Sequence, residues 1–249
     1  MESDPSPAVS PYPTPLEPLA GVRTLQAERI VVELREQILN GDREPGSRLG
    51  QELLAAELVP SRMPLRDALR ALEAEGLVTV KAHTGAWVSG LDEEEFDQCY
   101  KLREVVEPMV IAESIPHLND SQVELAGHLA DLIQNSGGAR GLRDFMRLDR
   151  EFHLLTYSGA TYPFLTELVT RLWNTTQPYR RELVRQMPEE SFASTCAEHM
   201  LIVDAMRRRD VDAASALVRL HIHRTRVDLS SYGEILWSRD SEMRRSVND

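Results

Sequence analysis

LGQELLAAELVPSRMPLRDALRAL, residues 49–72, holds two short apolar-periodic runs separated by a break at Val59-Pro60-Ser61. Leu53, Leu54 and Leu58 give the first run an inward stripe, and Leu65, Ala68, Leu69 and Leu72 do so for the second. The next residues, EAEGLVTVKAHTGAWVSG (73–90), place Gly76 where a left-handed cap ends the second helix. Leu77-Val78-Thr79-Val80 and Ala86-Trp87-Val88 then read as two strands around the turn Ala82-His83-Thr84-Gly85. Helix, helix, hairpin is the order of a winged helix-turn-helix. Arg62, Arg66 and Arg70, spaced by four, form a stripe opposite the leucines of the second helix. That is the geometry for reaching phosphates and guanine edges in a major groove, although the same spacing also suits a solvated face.

Upstream, Thr24 caps a helix expected to run through Gly41 with Ile30, Leu34 and Ile38 inward. Residues 1–20 carry six prolines and read as an extended, disordered arm, so the head spans 21–90. Downstream, Asp92-Glu93-Glu94-Glu95 opens a second domain, because acidic residues favour a helix N-terminus. From Phe96 to Leu229 only helical periodicity is visible, in six or seven helices broken at 116–119, 135–141, 159–163, 187–190 and Asp210. The expected fold is therefore mostly α: a winged helix-turn-helix, an all-helical bundle over 91–232, and a tail at 233–249.

Within the bundle, Asp149 and His153 are four apart and project from one helix face. His199 opens HMLIVDAMRRRD and His221 lies in the next run, ASALVRLHIHRTR, with a break at Arg209-Asp210-Val211. A helical hairpin brings both imidazoles to one depth, so three helices supply one metal site. Three imidazoles and a carboxylate suit zinc, nickel, manganese or iron, and leave coordination positions for water or an oxyanion. Enzyme and sensor both remain open on this ground. A lone histidine is more often a core or surface residue; it is the set of four that argues for metal. His223 points to the other side of its helix, and His117 and His128 have no companion motif.

Two motif sets carry a resemblance. Ser61-Arg62-Met63-Pro64-Leu65-Arg66-Asp67-Ala68-Leu69 resembles the S-R-T-P-V-R-E-A-L signature of the GntR family of bacterial transcription regulators, and Gly85-Ala86-Trp87-Val88 its G-A-F-V wing strand. D-x-x-F-H at 149–153, E-H-x-x-I at 198–202 and the later His221 resemble the family's FCD effector domain. The similarity runs from about Leu25 to Tyr232. It implies a cytoplasmic homodimer, by expectation a repressor, whose heads read half-sites of a pseudo-palindromic operator. The DNA contacts it implies are Ser61, Arg62, Met63, Pro64, Arg66, Arg70, His83, Thr84 and Gly85. Met63 departs from the family's usual threonine, so a polar contact is lost there while Ser61 serves as N-cap.

The resemblance further implies a divalent ion, zinc first, on Asp149, His153, His199 and His221, with a small organic acid as effector. Arg103 resembles an arginine that projects into the family's effector cavity; its alternative is an intrahelical pair with Glu107. Trp173 and Arg180 are further effector candidates, an aromatic at helical spacing being also a core residue. Two other functions stay open. In a metal-responsive regulator the ion itself is the signal, and a metal-dependent hydrolase or lyase needs a positioned general base and leaves the winged head unexplained.

The net charge of −12 by itself argues against nucleic acid. Yet residues 21–90 hold 9 Lys and Arg against 10 Asp and Glu, while 91–249 hold 19 against 27, so the acidity sits mainly outside the head. Cys99 and Cys196 form no C-x-x-C pair, as expected in a reducing compartment; Cys196, three residues before His199, is expected to be a small buried residue although it lies within reach of a metal. No apolar run reaches the roughly 20 residues that span a bilayer, and a signal-peptide core is missing, so a soluble protein is expected.

Overall fold

A computed structural model describes residues 25–50, 62–81 and 84–231. The proline-rich arm, Thr24, the first helix of the expected pair with Leu53, Leu54 and Leu58, Ser61, His83 and the tail 233–249 lie outside the described residues.

Helix α1 (Leu25–Asn40) buries Ile30, Val31, Leu34 and Ile38. They pack on Leu65, Ala68, Leu69 and Leu72 of α2 (Arg62–Ala74), so the inward stripes read from the sequence are the ones that meet. Gly76 ends α2 at φ +76°, and the Leu77 amide donates to the Leu72 carbonyl at 2.9 Å. Strands β2 (Val78–Lys81) and β3 (Gly85–Val88) form the expected hairpin, pairing Val78 with Val88 and Lys81 with Gly85. A third strand, β1 (Arg48–Leu49), was not anticipated. It pairs antiparallel with β3, Leu49 opposite Ala86, giving the order β1-β3-β2. Two residues are too few to show alternation, and long-range pairing places them.

A second core is built by six α-helices and one 3₁₀ turn. Helix α3 (Glu93–Ser114) starts in a capping box of Asp92 and Glu95, and the turn Ile115–His117 follows. Asn119 and Gln122 cap α4 (Asp120–Asn135) in the same way. Then come α5 (Leu142–Thr156), α6 (Pro163–Gln186), α7 (Glu189–Arg207) and α8 (Val211–Ser231). Long-range packing is most extensive between α3 and α8, and it encloses Phe96, Tyr100, Phe145, Phe152, Trp173 and their neighbours.

Helix α6 also braces the head. Arg181 Nη2 donates to the Leu39 carbonyl at the end of α1 (3.3 Å), and Arg171 Nη1 to the Ala74 carbonyl at the end of α2 (3.3 Å). Asn174 Nδ2 donates to the Glu75 carbonyl at 2.8 Å. Carbonyls left without an intrahelical donor at the two helix ends thus find partners on the second domain. The approach is close: a Cβ on Gly76 would stand 2.7 Å from Arg171 Cγ. Among the described residues no helix is long and apolar enough to cross a membrane.

Candidate functional site

Asp149 and His153 lie one turn apart on α5, and α7 and α8, joined by a short turn at Arg208 to Asp210, bring in His199 and His221. One ligand atom from each lies within 4.8 Å of the others, and all four residues are buried. Asp149 Oδ1 is 3.5 Å from His199 Nε2 and 4.0 Å from His153 Nε2. The His153 ring stacks 5.0 Å from that of His221, and the His199 and His221 rings are 4.8 Å apart.

The donor set fits a metal ion because of what it leaves unsatisfied. Asp149 Oδ1, His153 Nε2 and both ring nitrogens of His199 are buried without a hydrogen-bond partner in the protein. Orphaned buried polar atoms are costly and rare, and here one from each of Asp149, His153 and His199 belongs to the same compact cluster. Protonation suits a metal as well. Burial first, then the neighbouring imidazoles, push His153 well below its ordinary value and His199 down to about 3, so both rings are neutral near pH 7. Burial pushes the Asp149 carboxyl up, but Arg180, His199 and His221 outweigh it and hold it below the usual value. Neutral imidazoles and a carboxylate are the ligating forms.

Behind these atoms stand further polar groups. His221 Nδ1 is 2.7 Å from Glu198 Oε2, and Arg224 grips both oxygens of Glu198 at 2.6 and 2.8 Å. Burial pushes Glu198 up, but hydrogen bonds from His221 and Arg224 bring it down to about 2. Arg180 Nη2 donates to Asp149 Oδ2. The Tyr157 hydroxyl donates to Glu107 Oε2 at 2.6 Å and lies 3.4 Å from His153 Nδ1.

The three effector candidates gather beside the cluster. The Arg103 and Arg180 guanidiniums each lie 4.4 Å from the Trp173 ring centroid, and that ring is 4.9 Å from His153. Arg103 also forms the intrahelical pair held as its alternative, Nε to Glu107 Oε1 at 2.5 Å, and reaches Thr176 at 3.2 Å. Trp173 Nε1 donates to Glu107 Oε2 at 3.2 Å. Cys196 is buried outside the four-residue cluster, its thiol pushed up to about 11 by burial first, as expected of a small packed residue. His117, His128 and His223 are exposed.

On the head, Arg66 and Arg70 are exposed along α2 opposite the buried leucines, beside an exposed Met63. Pro64 is buried with Leu65, inside the first turn where its missing N–H costs nothing, and is not part of the exposed face. Arg62 opens α2. In the wing, Thr84 is exposed, and Gly85 turns the chain at φ +134°, a conformation that disfavours other residues. The Trp87 ring is flanked by Lys81 Nζ at 5.2 Å and Arg48 at 5.9 Å, with Arg48 Nη2 bonded to the Thr84 carbonyl at 3.1 Å. Sequence reasoning missed Arg48, because only β1 pairing brings it to the wing.

Comparison with known proteins agrees with both halves. Residues 26–88 match the model of bacterial regulatory proteins of the gntR family, and residues 98–224 match that of the FCD domain. The chain is similar to the gluconate operon transcriptional repressor of Bacillus licheniformis, 27% identical over 217 residues that cover 84% of this chain and 85% of the repressor. It is 31% identical over 201 residues to an HTH-type transcriptional regulator of Streptomyces ambofaciens, covering 78% of this chain and 80% of that protein. In fold it is similar to McbR/YncC of E. coli, with a TM-score of 0.73 at 20% identity, covering 84% of this chain and 98% of that one. A winged head joined to an FCD domain makes the chain a DNA-binding transcriptional regulator, and it belongs to the gntR family of bacterial regulatory proteins.

Proposed function

We propose that this regulator is a cytoplasmic homodimer whose two heads, residues 21–90, read a pseudo-palindromic operator, and that its domain over 91–232 answers to a small organic acid at a divalent-metal site. Repression is the expected sign, in keeping with the repressors among its relatives. The observation that carries the reading is the convergence of orphaned ligand atoms from Asp149, His153 and His199 beside Arg103, Trp173 and Arg180. A divalent ion, zinc first, supplies open coordination positions to a carboxylate oxygen. Arg103, Arg180 and the Trp173 ring add positive charge and a flat wall, which suit a small carboxylate. The carboxylate competes with Glu107 for Arg103, so binding shifts the contacts of α3 and α6.

Coupling to DNA runs through α6. Asn174 follows Trp173 in sequence; its Oδ1 accepts from Arg150 Nη2 at 2.6 Å, and its Nδ2 holds the Glu75 carbonyl just past the end of α2. A change in how α6 sits therefore moves the recognition helix. Asn174→Ala is expected to keep metal content and bare-operator affinity. Its operator affinity should shift far less with effector than the about 1–3 kcal/mol usual for allosteric coupling. A full wild-type response in Asn174→Ala removes this residue from the path.

The test of the function is a panel of small mono-, di- and tricarboxylates in an operator-binding titration, run on the wild type and Arg103→Ala side by side. At least one acid is expected to shift the wild type by about 1–3 kcal/mol, and Arg103→Ala to respond weakly while still binding metal and DNA. If no acid moves the wild type and chelation alone does, the ion itself is the signal. An unchanged response in the variant rejects Arg103 as the anchor.

A further inference from the structure

Metal-binding imidazoles work through one nitrogen, and what the other nitrogen touches fixes the tautomer, the ring plane and the basicity of the ligand. We infer that Glu198, clamped by Arg224, is a positioning residue for the metal centre: it accepts the Nδ1 proton of His221 and so presents Nε2 as the coordinating atom. The inference rests on the metal reading and adds a residue that touches no ligand itself.

The geometry is specific. Glu198 sits on α7 one residue before His199, so the helix turns it away from the cluster and toward α8. There Oε2 meets His221 Nδ1 at 2.7 Å while Arg224, three residues beyond His221, binds Oε1 through Nε at 2.6 Å and Oε2 through Nη2 at 2.8 Å. Arg224 is fixed in turn by Thr195 Oγ1 at 2.8 Å and Asp228 at 3.2 Å. Arg224 donates once to each Glu198 oxygen, so Oε2 keeps one further direction in which to accept, and His221 meets it there. A charge-assisted bond of this kind is short and directional, which gives the ring a single orientation.

A parallel arm stands behind His153. Tyr157 gives its hydroxyl proton to Glu107, so its oxygen is free to accept the His153 Nδ1 proton, although the 3.4 Å separation makes this contact weaker. Glu107 is held by Arg103 at 2.5 Å. Arg180 restrains Asp149 directly. His199 differs, since neither of its ring nitrogens has a partner in the protein. The His221 arm, with the shortest imidazole contact and the doubly gripped carboxylate, is thus the one whose loss should be felt most.

The experiment measures zinc dissociation constants by chelator competition on full-length wild type, Glu198→Gln, Glu198→Ala and Arg224→Gln, with thermal melts of each protein after chelator stripping. Glu198→Gln keeps an acceptor but no charge, and Glu198→Ala removes both. Zinc binding is expected to weaken by about 10–100-fold in Glu198→Ala, less in Glu198→Gln, and least in Arg224→Gln, where the carboxylate stays but loses its clamp. If Glu198 and Arg224 merely tie α7 to α8, the stripped proteins all melt earlier while zinc affinity stays within twofold of wild type. That result overturns the inference. Absence of tight zinc binding in the wild type instead refutes the metal reading beneath it, so the two failures are told apart by the wild-type measurement.

Discussion

Purified protein is expected to carry about one divalent ion per chain, and the His199→Ala, His221→Ala double variant to carry almost none. Each substitution deletes a ligand from a buried set of four, and two ligands do not retain a metal through dialysis. The stability consequence is unequal with and without the ion. In metal-free protein both His199 ring nitrogens are buried and unpartnered, so the alanine relieves an unmet demand even as it opens a cavity. In metal-loaded wild type the ion stabilises the folded state by about 4 kcal/mol at a thousandfold excess over its dissociation constant. For a chain of this length that corresponds to a melting-temperature rise on the order of 10 °C, which chelator should abolish in the wild type, whereas the variant should melt at the same temperature with and without chelator. Elemental analysis together with paired melts reads both effects. Full metal occupancy in the double variant would require a different site.

The other large effect lies on the head. Arg66→Ala, and Arg62→Ala at the first residue of α2, are each expected to cost about 1–3 kcal/mol of specific operator binding. Arg66 is exposed while Leu65 and Leu69 of the same helix are buried, so the loss should leave the fold intact. A guanine-reading arginine and a phosphate-binding one separate in their behaviour. The first relaxes discrimination between operator sequences, whereas the second weakens all duplexes alike and flattens the salt dependence. Binding to operator and to a scrambled duplex across a salt series distinguishes them. Unaltered operator affinity in both variants at matched salt takes this helix out of the groove.

The two results meet in α6. One side of this helix carries Trp173 and Arg180 beside the ligand cluster, and the neighbouring residues Arg171, Asn174 and Arg181 hold the ends of α1 and α2. Under the proposed function, these contacts are the path by which a small rearrangement near Asp149 would reach the recognition helix.

Much of this was legible in the order of residues. Apolar spacing over 62–72 and the two strand-like runs within 77–88 announce the described part of the winged head, because a helical period and a short β-rich run around a turn are both visible in the order of residues. Gly76 marks its own role, since a left-handed cap tolerates little else. The four metal candidates were readable because helical spacing puts Asp149 and His153 on one face, and recurring motifs supply His199 and His221. What stayed hidden was pairing between residues distant in sequence. Two residues at Arg48–Leu49 become a strand only because β3 lies beside them, and Pro64, grouped by motif with outward residues, turns inward once α2 has a core to face. Arg103 carried two readings four residues from Glu107, and the fold realised the ion pair while also setting the guanidinium against Trp173. Glu198 to His221 and Asn174 to Glu75 span 23 and 99 residues, respectively. Periodicity reports which face of an element is buried, but which partner that face meets depends on how the helices pack, and only the tertiary structure decides it.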